Sequence, residues 1–223
     1  MSQQDDEEQL EFMKSEQLIL VNEKDEEIGS NSKLVCHTDN LLHRAFSVFL
    51  FNSSNQLLIQ KRSSFKITFP LIWANTCCSH PLHNEKELVE ENAVGVKRAA
   101  IRKLNQELGI NPQDLSVEDF VFLTRFHYNA KYTEKLSEHE IDYILFLHKD
   151  LELDINPNEI DSVKYVTQEQ LKEMLKNDKI SPWMRIICQS YLFPWWDKLI
   201  NGATTSKEFI STEEQKKIEK LQN

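Results

Sequence analysis

The run Asn75-Thr76-Cys77-Cys78-Ser79-His80-Pro81 sets a thiol two residues from an imidazole. A thiolate is a strong base and nucleophile whose pKa falls beside cations or a metal, and an imidazole is the commonest metal ligand. The pairing points to acid–base or metal chemistry. Its competitor is packing, because free cysteine is among the most buried residue types and an adjacent pair can fill a core. Two further histidines, His37 and His43, flank Thr38-Asp39-Asn40-Leu41-Leu42, which reads as a loop entering a strand at Ala45. Downstream, Glu138-His139-Glu140 leads into a strand over 141–147, where alternation directs both carboxylates to one face and His139 to the other. Neighbouring carboxylates repel unless a cation or a proton intervenes. Three imidazoles with two carboxylates make a five-ligand nitrogen and oxygen set, suited to Mn, Fe or Zn and sometimes Mg. No Cys-x-x-Cys or His-Glu-x-x-His spacing marks such a site locally.

Other charged residues stand close by. Lys33 precedes His37, and Lys61-Arg62-Ser63-Ser64-Phe65-Lys66 precedes the cysteine run. Lys33, Arg62 and Lys66 are the donors available if the substrate is a phosphate ester; a solvated hairpin edge is the alternative reading of the same lysines. Glu107 falls on an apolar helical stripe, where a carboxylate is costly unless paired or bound to a cation, so it is a candidate ligand.

The elements that must position these groups follow from periodicity. Residues 18–21 form a short strand, and 45–51 and 57–62 form a hairpin around Asn52-Ser53-Ser54-Asn55-Gln56, paired antiparallel. A helix is expected over 87–108, with Ala93, Val96, Ala100, Leu104 and Leu108 on one stripe and Gly109 as its stop. Strands follow at 120–128, 140–147 and 163–166. Thr167 and Gln170 resemble a capping box for a helix to about Lys176, and Ser181-Pro182 offers an N-cap for an apolar helix over 183–193. Strands and helices mix without regular βαβ alternation, which favours a mixed α/β or α+β sandwich.

With 223 residues and 40% hydrophobic content the chain can bury one full core. Its net charge of −10 is mostly local: residues 1–27 hold ten acidic residues against two lysines. A loose acidic arm of about fifteen residues is therefore expected, and no basic face exists for nucleic acid. No window approaches eighteen apolar residues, the start is too acidic for a transit peptide, and the C-terminus has no Ser-Lys-Leu address. Cytoplasm is the expected location, with no membrane contact. The four cysteines should be reduced there, leaving Cys36 and Cys78 for thiol chemistry and Cys188 for the core.

These residues resemble the type 1 isopentenyl-diphosphate isomerases, a family whose fold is a variant of the Nudix sandwich. Its pieces are Cys36-His37, Leu42 to Ser47, Thr68-Phe69-Pro70, Trp73 to Leu82, Arg125 to Tyr128, Glu138 to Tyr143 and Ser181-Pro182-Trp183, all in family order. The Thr-Cys-Cys-Ser-His-Pro form is similar to the eukaryotic branch. The resemblance implies a single Nudix-like domain over 16–197, with a mixed sheet flanked by helices, an N-terminal arm (1–15) and a C-terminal extension (198–223). It implies conversion of isopentenyl diphosphate to dimethylallyl diphosphate by a monomer. Cys78 would be the catalytic thiol, Glu140 the opposed acid or base, and Tyr128 the group that orients or relays its proton. His37, His43, His80, Glu138 and Glu140 would hold a divalent metal, Mg²⁺ or else Mn²⁺ or Zn²⁺, while Glu107 would help hold a second Mg²⁺ on the diphosphate. Lys33, Arg62, Lys66 and the backbone near Ser79 would clamp that diphosphate, and Trp183 would face the carbocation.

Three departures stand out. The loop between His37 and His43 is shorter than in relatives, residues 129–137 lack the usual Gly and Trp, and Lys103 and Gln106 stand where a Nudix hydrolase has glutamates. A pyrophosphohydrolase, suggested by Glu107, is the rival enzyme. A catalytically silent interaction module, hinted at by the acidic arm and by Phe193-Pro194-Trp195-Trp196, is the rival outside enzymology.

Overall fold

The computed structural model describes residues 3–221. In chain order the regular elements are α1 (Gln3–Ser15), β1 (Gln17–Val21), β2 (Glu27–Ser32), α2 (Lys33–Thr38), β3 (His43–Phe51), β4 (Leu57–Arg62), β5 (Trp73–Ala74), β6 (Cys77–Ser79), α3 (Val94–Leu108), β7 (Phe120–Lys131), β8 (Ser137–His148), β9 (Ile160–Val166), α4 (Gln168–Asn177), α5 (Pro182–Ile187), α6 (Phe193–Ile200), α7 (Ser206–Phe209), α8 (Thr212–Lys216) and β10 (Ile218–Lys220). The principal sheet runs β10-β7-β8-β3-β1-β2. Within it β3 and β8 are parallel and β7 and β8 antiparallel. Strand β4 turns away with β5 and β9.

Strand β3 is buried from end to end, and its alternate residues feed two cores. Phe46, Val48 and Leu50 meet Val96, Ala100, Leu104 and Leu108 of α3 on one face. Phe49 and Phe51 meet Trp183, Met184, Trp195 and Trp196 on the other. Helices on both faces of a mixed sheet give the sandwich that the sequence pattern led us to expect. Trp195 and Trp196 are buried, so this aromatic pair is core, with Phe193 half-buried against it and Pro194 exposed.

Several local expectations are corrected. The hairpin pairs only at Phe51–Leu57, after which β3 takes β6 as its neighbour and β4 takes β9. A two-sided core needs that splay. The long helix starts at Val94 rather than near Glu87, because Asn92 and Ala93 take φ of 51° and 57° and break it. The preceding segment folds back so closely that a Cβ on Gly95 would lie 2.1 Å from the Glu87 carbonyl oxygen. Gly109 ends the helix in the left-handed region, as expected. The Thr167 capping box forms, whereas the Ser181 hydroxyl makes no cap bond. The helical path expected over 183–193 does not end near Phe193 but runs on to Ile200. A π-helical turn over Cys188–Leu192 leads into α6, a bulge that accommodates Pro194 without an amide hydrogen.

The expected loose arm is helical where it is described. Gln3–Ser15 contains no glycine, proline or β-branched residue, and Gln9 and Met13 are buried, with Gln9 Nε2 donating to the Asn158 carbonyl. The C-terminal extension also has a structural part. Phe209 is 1% exposed, and β10 runs parallel to β7, closing what would be an open sheet edge.

Candidate active site

Strand register assembles the site. His43 on β3 pairs with Glu140 on β8, and Glu140 pairs in turn with Tyr128 on β7. These three lie in one row across the sheet. Two residues earlier on β8 stands Glu138, on the same face. Ser47 of β3 pairs with Cys78 of β6, and His80 follows β6 directly. His37 comes from α2, a short helix capped by Ser32 where a plain loop was expected.

The three imidazoles form a triangle, with ring centroids 5.1, 5.3 and 4.9 Å apart. Donor atoms of His37, His43, His80 and Glu138 lie within 4.8 Å of one another, and all four residues are buried. His37 Nδ1 donates to the Ser137 carbonyl at 3.0 Å, and His43 Nδ1 to that of Leu41 at 2.8 Å. Each bond fixes the tautomer and leaves Nε2 with a lone pair. Burial, with repulsion among the cationic forms, lowers the His37 and His80 pKa values. Neutral imidazole is the ligating form. His43 Nε2 and His80 Nδ1 are buried with no hydrogen-bond partner among the described residues. A divalent metal fits these donors.

Glu140 lies beside this group of four, and its two oxygens are divided. Oε1 is 2.9 Å from His80 Nε2 and 3.6 Å from His43 Nε2, while Oε2 accepts a hydrogen bond from the Tyr128 hydroxyl. Burial alone would raise the Glu140 pKa, but its His43 and Tyr128 neighbours outweigh that and hold it below the usual value. Tyr128 is pushed well up by burial and by Glu140. Asp142, next along that face, is also pushed well up by burial and by Glu140, and it accepts a bond from Ser47 Oγ at 2.8 Å.

The two adjacent cysteines part company on β6. Cys77 points to the α3 core, fully buried, with its pKa raised well above normal by burial. Cys78 lines a cavity of about 50 Å³ together with His37, His80, Tyr128, Glu138 and Glu140. Burial pushes the Cys78 thiol up to about 12, against the pull of the Arg62 guanidinium 3.9 Å away. Cys36 is not part of the site: it is fully buried, its thiol also raised to about 12 by burial.

Lys33, Arg62, Lys66, Ser79, Glu107 and Trp183 line the same cavity. Trp183 donates from Nε1 to Asn75 Oδ1 at 3.0 Å, and Arg62 sits 5.8 Å from its ring. Lys33 is paired with Glu16 at 3.1 Å, and Lys66 with Glu159. Glu107 lies outside the metal-donor group, held by Lys103 at 3.4 Å and by Gln60 Nε2 at 3.0 Å. Lys103, at a position where a Nudix hydrolase carries glutamate, thus neutralises the one glutamate retained. The Asn75, Gln60 and Glu159 roles and the Gln9 and Met13 wall were not anticipated. Only Asn75 carried a signal, its place in the cysteine run; the others lie in segments with no chemical pattern.

The NUDIX domain model matches residues 41–185. An isopentenyl-diphosphate Delta-isomerase I from Clarkia breweri is 49% identical over 205 residues, 86% of this chain and 71% of that protein. An isopentenyl-diphosphate delta-isomerase from Gibberella zeae is 50% identical over 207 residues, 88% and 81% of the two chains. Among solved structures, a Deinococcus radiodurans protein matches with a TM-score of 0.58 at 23% identity, covering 78% of this chain and 98% of that one. A NUDIX hydrolase from Alicyclobacillus acidocaldarius matches with a TM-score of 0.50 at 7% identity, covering 66% and 89%. The fold is thus shared with hydrolases, but the extended sequence identity is with isomerases. The chain belongs to the NUDIX family and, within it, to the isopentenyl-diphosphate Delta-isomerases.

Proposed function

We propose that the protein converts isopentenyl diphosphate to dimethylallyl diphosphate in isoprenoid biosynthesis, by protonation and deprotonation through a tertiary carbocation. The observation that carries this is the pairing of Cys78 and the Tyr128–Glu140 couple in one buried cavity beside a three-histidine cluster. Lys33, Arg62 and Lys66, with the backbone at Ser79, clamp the diphosphate, and their charge-assisted bonds fix an otherwise mobile five-carbon tail. The proton that the Tyr128 hydroxyl shares with Glu140 Oε2 goes to the terminal alkene carbon. Trp183 faces the resulting cation with its ring, an attraction that strengthens when water is excluded. Cys78 then removes a proton from the carbon next to the diphosphate-bearing one; burial favours its neutral thiol, so it acts as the base only in the thiolate form that the Arg62 guanidinium at 3.9 Å draws it toward. Gln9 and Met13 wall the cavity and keep water from the cation.

His37, His43, His80, Glu138 and Glu140 Oε1 would hold a divalent metal, Mg²⁺ in our reading with Mn²⁺ or Zn²⁺ as alternatives. When bound, that ion neutralises the two carboxylates and holds Glu140 in place. Its Oε2 remains with Tyr128 for proton transfer. Glu107 would serve a second Mg²⁺ arriving with the diphosphate, exchanging its contacts with Lys103 and Gln60. All these residues come from one chain, which supports action as a monomer of residues 16–197 with its arm and extension, and we place it in the cytoplasm. Among the described residues no helix is long and apolar enough to cross a membrane.

Incubation of the metal-loaded protein with isopentenyl diphosphate should give the dimethylallyl isomer, seen by proton NMR, without release of phosphate. Phosphate release without isomer would assign the site to hydrolysis instead.

A further inference from the structure

A second cleft, of about 960 Å³, opens on the α3 face of the sheet. Arg44 and Tyr143 line it, each adjacent in sequence to a residue of the active face, His43 and Asp142. The two clefts therefore lie on opposite sides of the same strands.

The carboxylates in its wall are already engaged. Asp25 accepts from Arg44 Nε at 2.9 Å, from Arg125 Nη1 at 3.0 Å and from the Tyr143 hydroxyl. Glu90 pairs with Arg44 at 3.1 Å. Glu26 accepts from Asn22 Nδ2 at 2.6 Å, and Glu27 from His83 Nε2 at 3.0 Å. The lysines are not engaged. Lys24, Lys97, Lys207 and Lys216 all line the cleft, and among the described residues none has a carboxylate at ion-pair distance. Lys97 is half-buried on α3, and burial lowers its pKa against the distant pull of Glu118. Arg125 Nε is a buried donor without a partner among the described residues. Around this cleft of a protein of net charge −10, six cationic side chains thus face four carboxylates, an excess of two positive charges beside a spare guanidinium N–H. A net positive wall attracts an anion, and the orphaned Arg125 donor has a directed N–H to offer it.

We propose that this cleft is a second anion site that takes a small, multiply charged phosphate compound. Lysine is a point-charge phosphate donor, and guanidinium adds a directed N–H, so the set suits the clustered oxygens of a diphosphate better than a lone carboxylate. The walls contributed by Phe122 and Ala93 admit a short organic substituent.

Inorganic pyrophosphate is the direct probe. Titrated into the Mg²⁺-loaded full chain and followed by calorimetry, it should occupy two classes of site. The double variant Lys97→Gln/Lys207→Gln should lose one class, with at least a tenfold weakening, and keep isomerase kcat and KM within twofold. Lys66→Gln should lose the other class. A single class removed by Lys66→Gln, or two classes untouched in the double variant, overturns the proposal.

Discussion

Cys77 and Cys78 are indistinguishable as chemical types, and the β6 pleat decides between them: one faces the α3 core, the other the cavity. Cys78→Ser should cut kcat about a thousandfold with the thermal midpoint little changed, whereas Cys77→Ser should act mainly on stability. Equal losses of kcat in both would remove the assignment. Glu140→Gln keeps a bond to Tyr128 but cannot pass on the proton, so it too should lose about a thousandfold while the protein stays folded. Normal turnover in that variant would take Glu140 out of the chemistry. Much of this site was legible because imidazole, thiol and paired carboxylates are scarce, chemically costly types at a spacing that needs explaining. The partners of the cations were not. Glu159 and Gln60 look like ordinary polar residues in the sequence, and only the fold sets them against Lys66 and Glu107.

At the level of elements, alternation at the start of β8 predicted that Glu138 and Glu140 share a face, and the stripe on α3 predicted its buried residues. Element ends were less legible, because tertiary contacts set them. Gly95 illustrates this: the sequence read it as an ordinary helical position, but the Glu87 carbonyl fills the space that a Cβ there would need. Gly95→Ala should cost about 2 kcal/mol or more, measured as a fall in the urea midpoint at constant m. An unchanged midpoint would mean that the segment before α3 yields freely. Helix α1 likewise acts through its contacts, since Met13 and Gln9 close one wall of the cavity. Removal of residues 1–14 should lower kcat/KM at least tenfold while the sheet stays cooperative in unfolding. Undiminished activity would show that water exclusion does not depend on α1.

At the scale of the molecule, acidity is concentrated toward the N-terminus, and one of those carboxylates is tied to the site. Burial alone would raise the Glu16 pKa, but Lys33 at 3.1 Å more than offsets it and holds the group at about 2, from an ordinary 4.5. A carboxylate depressed on folding contributes stability that is fully present above about pH 4.5 and is lost as the pH falls toward about 2. Its full contribution is about 3 kcal/mol, so Glu16→Gln should lower stability at neutral pH and flatten the acid limb of the stability curve. An acid limb identical to that of the parent would contradict this. The overall plan, one two-sided sheet with its chemistry at the row His43–Glu140–Tyr128, makes a sharper claim: two protons move at two different carbons of one substrate. Turnover of isopentenyl diphosphate in deuterated water tests that most directly. The account predicts deuterium in the newly formed methyl group of the dimethylallyl product, abolished together with turnover in Glu140→Gln. Product formed without solvent deuterium at that methyl, or labelled equally well by the Glu140→Gln variant, would contradict it.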